Sequence, residues 1–239
     1  MENNLAGKTA VVTGGSRGIG FAIARELALH GCRVAIAGRN PDALESAISR
    51  LNLESLSVSA KSCDISNAEQ VRELFASVQE HFGALDVLVN NAGAAHALAN
   101  IDRIPPEEFR RVVDVNLTGT FLCCRAAIPL MGSGAVIVNN LSVAAHQPFA
   151  GMSAYNASKA GALALTNTLR EELRGQGIRV LALIPGATDT DIWQQFWPEA
   201  PREKMISPQD VARAVTLALG MPPNTSVDEI RMGPRSGTL

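Results

Sequence analysis

Tyr155 is the only tyrosine in the chain, and Lys159 follows it by four residues. Residues four apart on a helix share a face, so an ammonium can stand beside the phenol. A free phenol titrates near ~10, too high for ready proton exchange at neutral pH. A fixed positive charge nearby favours the phenolate and lowers that value. The pair is therefore a candidate general acid and base. In an arbitrary sequence the same spacing also arises from a buried tyrosine and a surface lysine that merely share a helix.

A second constellation lies near the N-terminus, where an apolar run passes into Thr13-Gly14-Gly15-Ser16-Arg17-Gly18-Ile19-Gly20. Glycines let a chain turn tightly and let backbone N–H groups approach a pyrophosphate, whose charge the following helix dipole favours. The spacing is G-x-x-x-G-x-G. It lacks the Gly-Lys-Ser/Thr ending of a nucleotide-triphosphate loop, which disfavours ATP or GTP hydrolysis. A bare strand-to-helix turn is the competing reading. In a dinucleotide site, a carboxylate about 20 residues further on takes the ribose 2′-hydroxyl of NAD. This chain has Gly38-Arg39 there, and a guanidinium suits a 2′-phosphate. Arg17 could reach the same group. These residues predict NADP(H) in preference to NAD(H), unless both arginines are solvated surface charges.

Such groups need a scaffold, and the chain alternates β-rich apolar runs with helical spacing throughout. Strands are predicted over 9–13, 33–37, 56–60, 85–90, 135–140, 179–184 and 227–231. Helices are predicted over 19–30, 41–52, 67–82, 106–131, 153–174 and 208–219. Asn40 before Pro41 and Ser207 before Pro208 are helix-start signals. Gly31 and Gly175 are placed to end helices. The runs AVV, VAIA, VLV, AVIVN and VLALI are nearly continuous in apolar character, as in strands covered on both faces. The fold class predicted is α/β, a Rossmann-type doubly wound parallel sheet of about seven strands. With 239 residues, 46% of them hydrophobic, the chain can hold a full core without disulfides or metals. It has no solenoid-length repeat and no low-complexity linker, so one domain over 1–239 is expected.

Charge and cysteine content exclude other classes. The net charge of −2 gives no broad basic footprint for nucleic acid or anionic lipid. Charge or Pro-Gly breaks every apolar stretch well short of a membrane span. The N-terminus lacks a basic segment followed by an apolar run, so no secretory signal is expected. Cys32, Cys63, Cys123 and Cys124 have no C-x-x-C spacing and no histidines at ligand spacing, so no metal is expected. A reduced, cytoplasmic protein follows. The vicinal Cys123-Cys124 reads as packing inside a helix.

Several residues, in order, give a family resemblance. The chain resembles the short-chain dehydrogenase/reductases from Lys8 to about Met232. The matches are Thr13-Gly14-x-x-x-Gly18-Ile19-Gly20, then Asp64 after the third strand, and Asn90-Asn91-Ala92-Gly93 closing the fourth. They continue with Asn116 in Asp-Val-Asn-Leu-Thr-Gly, and with Ser142 thirteen residues before Tyr155. Tyr155-x-x-x-Lys159 and Pro185-Gly186-x-x-x-Thr190 complete the set. The resemblance implies that Tyr155 exchanges a proton with a carbonyl or alcohol oxygen and that Ser142 hydrogen-bonds the same oxygen. Lys159 would bind the nicotinamide ribose and lower the tyrosine pKa, and Asn116 would help hold a proton-relaying water. The implied cofactor contacts are Gly14, Ser16, Arg17, Gly18, Ile19, Gly20, Arg39, Asp64, Ile65, Asn90, Ala92, Gly93, Tyr155, Lys159, Pro185, Gly186, Thr188 and Thr190. Each has a bland competitor: Ser142 could cap its strand end, Asn116 could be a structural hydrogen bonder, and Asp64 could form an Asx turn.

Two places depart from common members: Asn139-Asn140-Leu141 before Ser142, and the segment from Val227 to Pro234, where many relatives end a strand in Asp-Gly-Gly. Residues 188–207 fall where the family keeps a short lid over its substrate. Trp193, Phe196 and Trp197 there have the spacing of one apolar helical face. That face either covers a carbonyl substrate or simply packs. His96, His146 and Gln147 follow strand ends and could touch substrate. By analogy the helices over 106–131 and 153–174 form subunit contacts, giving a homodimer or homotetramer. The implied activity is an NADPH-dependent carbonyl reductase or alcohol dehydrogenase acting on a small-molecule substrate. A 3-oxoacyl thioester reductase resembling the acyl-carrier-protein type is the commonest candidate; small ketones, sugars and steroids stay open. The alternatives from other classes are a dinucleotide-binding regulator or scaffold without turnover, and a methyltransferase. A scaffold needs no proton donor, and the Tyr155/Lys159 pair and Arg39 have no role in a methyltransferase.

Overall fold

The computed structural model describes residues 5–222 and 224–237. Seven parallel strands form one sheet in the order β3-β2-β1-β4-β5-β6-β7. They are β1 (Thr9–Thr13), β2 (Arg33–Gly38), β3 (Val58–Ser62), β4 (Val87–Asn90), β5 (Val136–Asn140), β6 (Arg179–Pro185) and β7 (Glu229–Met232). The helices are α1 (Gly18–Leu29), α2 (Pro41–Asn52), α3 (Ala68–Phe82), α4 (Pro106–Val113), α5 (Gly119–Ala127), α6 (Ser153–Arg174), α7 (Trp193–Phe196) and α8 (Pro208–Leu219).

Side chains of the central strands alternate between two buried layers, as the period of two requires. Ala10, Val12, Val34, Ile36, Val87, Val89, Val136, Val138, Leu181 and Leu183 pack with α1, α2 and α8. Val11, Ala35, Ala37, Leu88, Ile137 and Val180 pack with α3, α5 and α6. Both faces are covered, so these strands are apolar through their middles and carry polar residues towards their ends. Strand order reverses between β1 and β4, and in such a sheet the crevice beyond their C-terminal ends is the ligand position.

Helix starts follow the sequence signals. The Asn40 side chain accepts from the N–H groups of Asp42 (2.9 Å) and Ala43 (3.2 Å), and Ser207 Oγ accepts from Asp210 N (3.0 Å). Gly31 adopts φ +83° just past α1. Gly175 does not reverse the chain: it keeps right-handed φ −66°. The left-handed residue is Gly177 at φ +71°, where a Cβ would lie 2.5 Å from Ser133 Oγ.

Four elements differ from the sequence expectation by two residues or more. β4, expected from 85, starts at Val87. The edge strands β3 and β7 each lie two residues later at their start, because their exposed side chains leave little apolar pattern. The helix expected over 106–131 is α4 and α5 joined by a π-helical turn, Asp114–Thr118, and closed by a 3₁₀ turn, Ile128–Leu130. A Cβ on Gly119 would stand 2.8 Å from the Ile65 side chain, so glycine lets this helix press close against the segment after β3. Pro129, lacking an N–H, falls in the closing turn.

Candidate active site

The glycine turn is shaped by close approaches that no side chain would permit. Gly14 and Gly18 have φ +64° and +56°. A Cβ on Gly14 would lie 2.8 Å from Ala92 Cα, and one on Gly20 would lie 2.3 Å from both Asn91 Nδ2 and Gly14 O. The segment after β4 grips the turn. Thr13 Oγ1 accepts from the N–H of Asn91 (3.0 Å) and Ala92 (3.1 Å). Asn91 Nδ2 donates to Thr13 O (3.1 Å) and Gly14 O (3.0 Å). Gly14 N and Gly15 N are taken up by Ala37 O (2.7 and 3.3 Å), and the first bond of α1 runs from Phe21 N to Arg17 O, so the N–H groups at the start of α1 offer the arrangement an anion needs.

From this turn a cleft of about 860 Å³ runs across the C-terminal edge of the sheet. One end carries Arg39 and Asp64, and the other carries Phe149, Met152, Trp193 and Phe196. That volume is within the range of about 300–1,000 Å³ common for ligand pockets. Arg39 is exposed and has no ion-pair partner among the described residues. Arg17 faces Asp191 at 3.6 Å, both largely exposed. Asp64 lines the cleft and also forms an Asx turn, accepting from Ser66 N (3.0 Å) and Ser66 Oγ (2.7 Å). Ile65, Gly14, Ser16, Gly18, Ile19, Ala92, Gly93, Pro185, Gly186, Thr188 and Thr190 line it as well. The glycine cradle, the free cationic group at one end and the buried lysine at the other suit an anionic dinucleotide.

Two expected cofactor contacts do not line the cleft. Gly20 lies behind the turn, where its missing side chain makes room for Asn91 and Gly14. Asn90 is buried in the sheet, its Nδ2 donating to Asn139 Oδ1 (2.9 Å) and Cys124 Sγ (3.2 Å). Asn116 is also absent from the cleft wall. It lies in the π turn, and its side chain is committed: Oδ1 accepts from Ala94 N (2.8 Å), while Nδ2 donates to Ala94 O and Ser158 Oγ (2.9 Å each). It positions the loop beside Gly93. His96 is buried with Nδ1 bonded to Ala97 O (2.8 Å), and neither it nor His146 nor Gln147 lines the cleft.

Ser142, Tyr155 and Lys159 come together on the cleft wall. Extended backbone at Ser142 ends the β5 connection, and its Oγ accepts from Ala144 N (3.2 Å). Tyr155 and Lys159 are buried on α6. Burial pushes the phenol pKa up, and a hydrogen bond with Ser142 pulls it back. Lys159 Nζ lies 5.7 Å from the Tyr155 ring centroid and donates to Asn140 O (2.9 Å), and burial lowers its own pKa to about 8. A protonated phenol beside a hydroxyl in an apolar cleft can donate a proton to a carbonyl oxygen bound between them.

Within residues 188–207, Thr188, Ile192, Trp193, Gln195, Phe196 and Trp197 line the cleft. The base of this segment is closed by a bridge between Thr188 and Ile206. Trp193 Nε1 donates to Thr188 O (2.8 Å), and Gln195 Oε1 accepts from Ala95 N (3.2 Å). Trp193 meets Phe196 at a tilt (4.7 Å between centroids) and Trp197 edge-on (6.2 Å), so the three aromatics form one cluster. Sequence reasoning missed Asn91, Gln195, Phe149 and Met152. Only Asn91 carried a signal, being inside the Asn-Asn-Ala-Gly motif.

The description "short chain dehydrogenase" matches residues 8–201. An uncharacterized oxidoreductase of Staphylococcus aureus is 36% identical over 232 residues, 96% of this chain and 98% of that protein. An alcohol dehydrogenase from Thermococcus sibiricus, solved with 5-hydroxy-NADP, superposes with TM-score 0.88 at 32% identity, covering 97% of this chain and 98% of that one. A 3-ketoacyl-(acyl-carrier-protein) reductase from Brucella melitensis, solved with NADH, gives 0.86 at 31% identity, covering 95% and 97%. The chain belongs to the short-chain dehydrogenase family. It is an oxidoreductase of CH–OH and C=O groups that uses a nicotinamide dinucleotide.

Proposed function

We propose that the protein is an NADP(H)-preferring carbonyl reductase or alcohol dehydrogenase in which Tyr155 exchanges the substrate proton. The convergence of Ser142, Tyr155 and Lys159 on the wall of the cleft carries this reading. The bound nicotinamide supplies or accepts the hydride. Tyr155 donates a proton to the carbonyl oxygen and recovers it in the oxidative direction. Ser142 fixes that oxygen by hydrogen bonding. Lys159 holds the nicotinamide ribose hydroxyls with its ammonium. Residues 188–207 act as the lid and exclude water from the reacting end.

Arg39 supports the preference for NADP(H): a guanidinium beside Gly38 with no ion-pair partner among the described residues suits a 2′-phosphate. Arg39→Asp should reverse the NADPH/NADH preference in a calorimetric titration, and an unchanged ratio would remove this assignment. Tyr155→Phe should lower kcat at least ~1,000-fold with NADPH affinity within about twofold. Normal turnover by that variant would sink the mechanism.

The substrate class we place first is the 3-oxoacyl thioester, supported by the likeness to the Brucella enzyme. Small neutral ketones come second, favoured by a reacting end whose wall is Phe149, Met152, Ile192 and Trp193. A homodimer or homotetramer is the assembly we infer. Four free cysteines fit a reducing, cytoplasmic compartment.

A further inference from the structure

We propose that Asn140 is a positioning residue that sets the glycine turn and the active-site lysine relative to each other. Asn140 stands at the C-terminal end of β5, and its two polar arms run in opposite directions. Its Nδ2 donates to Asn91 Oδ1 (2.8 Å), and its main-chain oxygen accepts from Lys159 Nζ (2.9 Å).

The first arm adds a third bond to the two that orient the Asn91 amide. Asn91 Nδ2 holds the carbonyls of Thr13 and Gly14 away from the anion position. An amide can flip, and a flipped Asn91 would turn its oxygen towards those two carbonyls, acceptor against acceptor. The donor that locks Asn91 Oδ1 in place is Asn140 Nδ2. The second arm gives the buried Lys159 ammonium its hydrogen-bond partner among the described residues. A continuous path therefore runs from Gly14 O through Asn91 and Asn140 to Lys159. It joins the group that receives the pyrophosphate to the group that receives the nicotinamide ribose.

The inference rests on the reading that the cleft holds a nicotinamide dinucleotide, and NADPH titration of the unaltered protein checks that reading separately. The test is a double-mutant cycle on NADPH affinity using Asn91→Ala, Asn140→Ala and the pair, with melting curves to verify folding. Asn140→Ala keeps the main-chain oxygen and removes only the amide arm. Its Kd for NADPH should rise about tenfold. In the Asn91→Ala background the same change should cost less than about twofold, because the side chain acts through Asn91. A merely structural asparagine would give additive effects, or a melting shift with Kd unchanged, and either result overturns the proposal. Should Asn91→Ala not fold, Asn140→Asp decides alone. Its carboxylate would face Asn91 Oδ1 and should weaken NADPH more than Asn140→Ala does. Wild-type affinity in Asn140→Asp would also overturn the proposal. If the unaltered protein binds no NADPH, the cofactor reading fails and the inference falls with it.

Discussion

Lys159 is a buried cation that costs the cofactor-free fold stability. Its ammonium is buried, and burial lowers its pKa from the ordinary lysine value to about 8. Between about pH 8 and the unfolded value near 10.4, the unfolded chain binds more protons than the folded one. Stability attributable to this group therefore rises with pH through that window, and the cost of the buried charge is fully present below it. Lys159→Met removes the charge while keeping much of the volume. The cofactor-free variant should gain about 1–3 kcal/mol at pH 7, after allowing for the lost bond to Asn140 O. Its kcat should fall at least ~100-fold. Chemical unfolding and steady-state kinetics read the two effects, and a variant less stable than wild type would show that the lysine is well solvated where it sits.

Elements differ in how far their sequence announces them. The inner strands β1, β2, β4, β5 and β6 were legible because both faces are buried, and burial forces a continuous apolar run. The edge strands gave weaker signals because exposed positions accept almost any side chain. The π turn left no mark: one shifted hydrogen bond changes no residue type. The Asn91–Asn140 bond was invisible for another reason, since the two residues are 49 positions apart and meet only when β4 pairs with β5. Tyr155, Lys159 and the glycine turn were legible because their chemistry depends on local spacing. A long-range polar pair also sets the start of the sheet. Asp86 accepts from Thr9 N (2.8 Å), Thr9 Oγ1 (3.0 Å) and Lys8 Nζ (3.2 Å), tying the entry of β1 to that of β4. Burial pushes the Asp86 pKa up, but these bonds outweigh it and leave the carboxyl below its usual range. Its contribution to stability is complete above the unfolded value near 3.9 and is lost as pH falls through the folded value. Unfolding curves of Asp86→Asn should therefore be flatter with pH than those of wild type in the acid range. Parallel curves would assign acid sensitivity to other carboxylates.

Among the described residues, exposed apolar side chains gather near α4. Ile101, Phe109 and Phe121 are all exposed, Ile101 by 77%. Ile101, Ile104, Pro106, Phe109 and Val113, with Arg110 and Ser153, line a second hollow of about 440 Å³. A contiguous apolar region with a built depression is the usual mark of a protein contact, whereas scattered apolar residues are not. The sheet cannot supply that cover, since both its layers are already filled by the chain's own helices. A second copy can, and a two-fold contact would bury the same residues on both sides at once. Light scattering at micromolar concentration should therefore give two or four times the chain mass. Phe109→Arg places a charge in the hollow and should shift the protein towards the monomer, with the strands and the cleft unchanged. A wild-type monomer under these conditions would leave the α4 region without a partner and would rule out the assembly inferred from it.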